Sequence, residues 1–288
     1  MACYEARVPD SVEGMRLDGF IRRFLPEVDA VQLREAFRRR DVKRNGKRVR
    51  SDERLMAGDL VQVYAMEAAA PVLDVVYEDA DVLLLNKRAG ISVEDDGGGV
   101  SLSALALRHV RAAAPDALAP LPCHRLDNQT CGLILFAKNT KAAEVLEDVF
   151  RARSLDKRYI CLVKGQPKPP SAQCRAWLRK DTEAGRVTVL DHPARDARPI
   201  ITAYETLQGG EISRLRVHLI TGRTHQIRAH MAALGHPLLG DDVYGDRAFN
   251  RLHRAQGKLM LCAASLCLDT GGRLPQLDGH VFTIDCPF

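Results

Sequence analysis

Residues 122–133 read Pro122-Cys123-His124-Arg125-Leu126-Asp127-Asn128-Gln129-Thr130-Cys131-Gly132-Leu133. A segment with three prolines, Pro115 to Pro122, leads into them, and the apolar run Leu133 to Ala137 follows. The prolines predict a loop and the apolar run a buried strand. Arg125 and Asp127 therefore stand on a loop held by a rigid element, where reactive groups are commonly displayed. Alone, Arg-Leu-Asp decides little, because an aspartate beside a turn is usually a cap or turn residue.

Outward from this stretch, strands and helices alternate from about residue 72. Val72 to Tyr77 and Val82 to Leu85 are strand-like, and Leu102 to Ala114 forms a helix that Pro115 ends. Ala142 to Phe150 reads as an amphipathic helix and Tyr159 to Val163 as a strand. Polar and apolar residues alternate strictly in Ser213-Arg214-Leu215-Arg216-Val217-His218-Leu219, the period of a half-buried strand. Ile227, Met231 and Leu234 share one helical face. No internal repeat is visible.

The first 68 residues read as a separate small unit, joined through Ala68-Ala69-Ala70-Pro71 to residues 72–288. Leu17, Phe20, Ile21, Phe24 and Leu25 recur at helical spacing, as do Val31, Leu33 and Phe37 less regularly. Asn45-Gly46 predicts a hairpin turn, since both residues tolerate positive φ, and Gly58-Asp59 a turn into a strand. Between Arg38 and Arg50 stand eight lysines or arginines against one acidic residue. Arg39, Arg40, Lys43, Arg44, Lys47 and Arg48 are its candidate phosphate contacts, although such a cluster can equally be a solvated face.

With 46% hydrophobic and 27% charged residues, the 288-residue chain has the balance of a folded globular protein, which excludes disordered and collagen-like classes. A net charge of +5 leans towards an anionic partner. The eight cysteines include no Cys-x-x-Cys pair and no zinc spacing, so no structural metal is expected. No apolar run has the length of a signal peptide or a membrane span, and scattered thiols suit a reducing, cytoplasmic compartment. Gly97-Gly98-Gly99 lacks the Lys-Ser/Thr of a phosphate loop and reads as a surface turn.

Four motifs in order give the loop its context. His124-Arg125-Leu126-Asp127 with Thr130 and Gly132-Leu133 resembles the first active-site motif of the RluA-type pseudouridine synthases. Val76-Tyr77-Glu78-Asp79 with Asp81-Val82-Leu83, Asn86-Lys87 and Gly90 resembles that family's first strands, and Lys157-Arg158-Tyr159 its tyrosine-bearing strand. Thr221-Gly222-Arg223-Thr224-His225-Gln226-Ile227-Arg228-Ala229-His230, continued by Gly235-His236-Pro237-Leu238-Leu239-Gly240-Asp241 and Tyr244-Gly245, resembles its last major motif. Residues 14–66 resemble an S4 RNA-binding domain. Cys131 replaces a usual serine, Arg88 a proline, Ala229 a bulkier residue and Cys262 a frequent histidine; none of these removes a group the chemistry needs.

The resemblance implies an α+β fold: a mixed, mainly antiparallel catalytic domain behind a small N-terminal α/β S4-like domain. It implies isomerisation of uridines in structured RNA to pseudouridine, with large-subunit ribosomal RNA favoured over tRNA. The N1–C1′ bond breaks and the uracil is rejoined through C5, without net gain of atoms or electrons, so no cofactor is expected. Asp127 becomes the catalytic carboxylate, acting as nucleophile or stabilising charge at C1′. An ionised, buried carboxylate needs a cationic partner. The family places Arg228 there, with Arg223 second; the residues alone would put Arg228 on the solvent face of its helix. Tyr159 would stack on the flipped base and serve proton transfer at C5. Arg125 would enter the RNA stack as the uridine leaves it. His124, Thr130, Arg223 and Leu261 complete the expected substrate site, with loop orientation and core packing as plainer roles for His124 and Leu261. A monomer is expected. Two rivals remain: a non-catalytic RNA-binding or ribosome-assembly protein on the same fold, and a hydrolase releasing uracil. The second lacks the paired carboxylate such chemistry usually needs.

Overall fold

The computed structural model describes residues 2–25, 28, 30–65, 73–94, 101–181 and 185–288. The expected linker at 68–71 and the glycine triplet at 97–99 lie outside these residues. By backbone contacts the chain divides into two units, Met1–Leu73 with Ser92–Ala119, and Asp74–Ile91 with Pro120–Phe288. No helix among the described residues is long and apolar enough to cross a membrane.

The first unit contains β1 (Ala2–Arg7), α1 (Leu17–Phe24), α2 (Ala30–Arg39), β2 (Val42–Arg44), β3 (Lys47–Arg48) and β4 (Leu60–Ala65). Its antiparallel sheet runs β1-β4-β2-β3. Leu17, Phe20 and Ile21 on one stripe of α1, and Leu25 just past its end, are buried with Leu33, Val42, Leu55, Val61 and Val63. Phe20 and Phe24 stack at 4.7 Å, so these aromatics serve the core. Asn45 at φ 50 and Gly46 at φ 78 supply the left-handed pair of the β2–β3 turn. Asn45 also bonds the Asp59 carboxylate at 2.7 Å and accepts from Leu60 N at 2.8 Å, joining both turns. A helix, α3 (Leu102–Ala113), is capped by the Ser101 hydroxyl, which accepts from Ala104 N, and ends before Pro115.

The second unit carries β5 (Val75–Glu78), β6 (Val82–Lys87), β7 (Leu121–Pro122), β8 (Cys131–Ala137), α4 (Thr140–Ala152), β9 (Leu155–Lys164), β10 (Ser171–Asp181), β11 (Arg186–Leu190), β12 (Ala197–Gln208), β13 (Ile212–Leu219), α5 (Gln226–Ala233), α6 (Arg247–Leu252), β14 (Leu261–Leu268) and β15 (Val281–Thr283). One sheet runs β11-β10-β12-β13-β9-β14-β8-β6-β5, with β15 on β14 and β7 on β8. Among the described strand pairs of this sheet, β14–β8 is parallel and the others are antiparallel. The fold is thus α+β and mainly antiparallel. Every residue of β8 is buried, and Leu133, Leu135 and Ala137 pack against Ala142, Val145, Leu146 and Val149 of α4. The strict alternation of residues 213–219 is met in β13, where Ser213, Leu215 and Val217 are buried.

Gly132 marks where the quoted loop enters the sheet. It adopts φ 112, and a Cβ there would lie 2.4 Å from Ala263 O and 2.5 Å from Ala263 N. Only glycine lets β8 come this close to β14, so Gly132→Ala combines backbone strain with overlap against main chain. A loss of at least about 3 kcal/mol is expected in urea unfolding; a change under about 1 kcal/mol would show that the two strands can part without cost.

Candidate active site

The loop between β7 and β8 is fastened from three sides. Leu135 N donates to His124 Nε2 at 3.2 Å, and the imidazole stacks on Phe150 of α4 at 5.1 Å. Burial pushes His124 down to about 3, so the ring is neutral and Nε2 is free to accept. Thr130, itself buried, donates its N–H to Asp127 O at 3.0 Å and closes the turn. Lys87, fully buried at the end of β6, donates to Asn128 O at 2.8 Å and Arg88 O at 3.1 Å. Burial draws that ammonium down to about 8, and the two carbonyls compensate part of the lost hydration. His124 and Thr130, expected at the substrate, both make hydrogen bonds within and beneath the loop.

The other half of the site comes from α5. Thr221 Oγ1 donates to Gln226 Oε1 at 2.9 Å, while Gln226 Nε2 donates to Ile201 O at 3.1 Å and Thr202 Oγ1 at 3.0 Å. His230 Nδ1 meets Thr202 Oγ1 at 2.9 Å. The polar residues of the motif therefore dock the helix on β12, and Gln226 through Met231 are all buried. This corrects the reading of Arg228 as a solvent-facing residue: it is 7% exposed.

Arg228 forks between two carboxylates. Nε and Nη2 donate to Asp241 Oδ2 and Oδ1 at 2.7 and 2.9 Å, and Nη1 donates to Asp127 Oδ2 at 3.0 Å. Asp241 Oδ1 also accepts from Val243 N at 2.8 Å and Tyr244 N at 3.0 Å. Burial opposes the Asp241 charge, but Arg228 and these two N–H groups outweigh it and hold the carboxyl below its usual range. Asp127 Oδ1 has no hydrogen-bond partner among the described residues. One oxygen is anchored and the other is open.

Tyr159, 6% exposed on β9, completes the centre. Burial and then the Asp127 carboxylate push its phenol upward, so the hydroxyl keeps its proton. Leu261 pairs with Cys161 and Ala263 with Tyr159, which puts Leu261 on the sheet face that carries Tyr159. Arg125 is exposed beside buried Leu126. Arg223 is also exposed; its backbone N–H binds Gln226 Oε1 at 3.1 Å, and Arg228, not Arg223, meets Asp127. Sequence reasoning gave no role to Asp241, Tyr244, His225 or Lys87. One signal was available: a buried guanidinium has five donors and needs more than a single carboxylate.

In the N-terminal unit, Arg39, Arg40, Lys47 and Arg48 are exposed. Lys43 Nζ lies 4.7 Å over the Tyr64 ring. Arg44, also expected to contact phosphate, pairs through Nε with buried Asp59 at 2.6 Å and donates from Nη1 to Arg54 O at 3.2 Å.

The RNA pseudouridylate synthase family matches residues 81–233. Ribosomal large subunit pseudouridine synthase C of Vibrio parahaemolyticus is 33% identical over 278 residues, covering 90% of this chain and 86% of the relative. The protein of that name from Escherichia coli K12 is 32% identical over 294 residues, covering 95% and 89%. The solved structure of human RNA pseudouridylate synthase domain containing 1 matches with a TM-score of 0.59 and 26% identity, covering 75% of this chain and 84% of its own. Human RNA pseudouridylate synthase domain containing 4, at TM-score 0.62 and 21% identity over 74% of this chain and 88% of its own, shares the fold. The loop bearing Asp127, the strand bearing Tyr159 and the helix bearing Arg228 all lie within the matched region, and the chain belongs to the RNA pseudouridine synthase family, in its RluA-type branch.

Proposed function

We propose that this isomerase modifies large-subunit ribosomal RNA with Asp127 as its catalytic carboxylate, and the observation that carries the assignment is the division of labour between its two oxygens. Arg228 holds Oδ2, while Oδ1 is left for the ribose. A positioned carboxylate beside C1′ can attack it or stabilise its developing positive charge as the N1–C1′ bond breaks. The freed uracil turns and bonds through C5, and the C5 proton must then leave. Tyr159 and Leu261 offer a stacking face and an apolar wall for the base, and the Tyr159 hydroxyl, which keeps its proton, serves as a relay: it takes the C5 proton only as its own passes to solvent, and the loss at C5 is balanced by the proton gained at N1.

The target uridine must leave its stack before it reaches Asp127, at a cost of a few kcal/mol. Exposed Arg125, two residues from Asp127, can stack in the space it vacates, and exposed Arg223 can meet the backbone. Large-subunit RNA is favoured because the relatives that cover nearly the whole chain carry that substrate in their names; tRNA is the second candidate. In the N-terminal unit, two helices and a basic hairpin over residues 14–66 support an S4-like RNA-binding role. We place the enzyme in the cytoplasm as a monomer, in keeping with its RNA substrate and its eight free cysteines.

Two results test this reading. Unmodified ribosomal RNA and tRNA treated with the wild type should give new carbodiimide-dependent reverse-transcription stops in the large-subunit RNA, and Asp127→Ala should give none. Stops that persist with Asp127→Ala overturn the carboxylate assignment, and release of free uracil favours a hydrolase. Replacing Arg39, Arg40, Lys47 and Arg48 by glutamine should weaken RNA binding and lower the salt slope by about one for each phosphate that is no longer neutralised; an unchanged slope removes the patch from the interface.

A further inference from the structure

His225 precedes α5 and makes none of the side-chain hydrogen bonds that dock the helix on β12. Its Nε2 lies 3.7 Å from Asp127 Oδ2, the oxygen already held by Arg228. On its other side, Nδ1 lies 3.0 Å from Tyr244 Oη, and that oxygen accepts the Val187 N–H at 2.9 Å. We propose that His225 is a positioning residue for the reaction, a neutral imidazole that Tyr244 orients so that its Nε2–H becomes the second donor on Asp127 Oδ2. The inference rests on Asp127 being the reacting group.

In the proposed arrangement His225 adopts one tautomer, the one in which Tyr244 donates to it. Tyr244 Oη receives the Val187 N–H and has one proton to give, and His225 Nδ1 is the acceptor within reach. With Nδ1 accepting, the ring proton resides on Nε2, the nitrogen that faces the carboxylate. A closure of about 0.7 Å brings this contact into hydrogen-bond range, as catalytic contacts often tighten when substrate binds.

The groups that face His225 are Asp127, Arg228, Asp241 and Tyr244. Burial first, and then Arg228, disfavours its protonation against the pull of the two carboxylates. A neutral donor suits this place, because it fixes the carboxylate without a second full cation that would quench its reactivity. The Tyr244 ring also lies 5.3 Å from the Arg228 guanidinium, so one tyrosine steadies both groups that hold Oδ2.

The backbone supports a chemical role. His225 sits at φ 53 and ψ 19 in the left-handed region. That conformation costs a non-glycine residue about 1–2 kcal/mol, and such strain concentrates at functional sites. No side-chain bond from His225 caps the helix, so capping does not explain the residue.

The test uses the full-length chain with His225→Phe, His225→Gln and Tyr244→Phe, comparing single-turnover rates, RNA affinity and thermal midpoints. His225→Phe should slow the reaction by about 10- to 100-fold, with RNA affinity within about twofold of wild type. Glutamine, which retains an N–H donor, should recover at least about fivefold of that loss. Tyr244→Phe should slow the reaction by about 3- to 10-fold and shift the acid limb of the rate profile, since the imidazole is no longer fixed in one tautomer. A His225→Phe rate within twofold of wild type overturns the proposal, as does an equal loss in Phe and Gln variants that tracks a fall in thermal midpoint. If His225→Phe does not fold, an unchanged rate and pH profile in Tyr244→Phe overturns it instead. Asp127→Ala separates the two readings: if it is inactive while His225→Phe is fully active, only this inference fails, whereas an active Asp127→Ala removes the reading beneath it.

Discussion

Arg228 lies between two carboxylates that approach it from different parts of the chain. It is 13 residues from Asp241 and 101 from Asp127 in sequence, and its three nitrogens serve both. Burying such a group costs several kcal/mol of hydration, which the paired carboxylates recover only when the geometry is close to ideal. The arrangement is therefore poor evidence for stability and good evidence for positioning. Lysine could not substitute for it, since only a planar guanidinium can clamp Asp241 with two parallel bonds and still reach a third oxygen.

The surrounding structure keeps both ends of this bridge in place. At one end, Lys87, His124 and Thr130 each secure the loop through main-chain hydrogen bonds, leaving the Asp127 side chain to meet Arg228. At the other, Gln226 and His230 bind Thr202 and hold the helix on the sheet. Gly132 allows β8 and β14 to approach where the loop ends. Groups held this way need little reorganisation when charge develops on the substrate, which is the main electrostatic advantage of a folded site.

What the sequence revealed depended on how strongly each element's environment marked its residues. The strand after Asp127 was legible because residues 133–137 are buried on both faces and form an unbroken apolar run. Strict alternation exposed β13 in the same way. In contrast, β10 and β12 were not read: the inward side of β10 carries Ala172, Cys174 and Ala176, whose small side chains give little contrast with Gln173 and Arg175. The helix after His225 misled for a related reason. Periodicity marks Ile227 and Met231 as its buried stripe, yet Gln226, Arg228 and His230 are buried too, with partners distant in sequence. No local pattern distinguishes a satisfied polar face from a wet one, so Arg228 was found through family resemblance and Asp241 was not assigned a role.

Arg228 joins Asp241 and Asp127 into one hydrogen-bonded unit. A double-mutant cycle on single-turnover pseudouridine formation, with Asp241→Asn, Arg228→Lys and the combined variant, measures this directly. Each single change should slow the reaction by about 10-fold or more, and the combined variant should be little slower than the worse single, because either change already releases Asp127. Independent, multiplicative losses, or a wild-type rate in Asp241→Asn, would contradict the account.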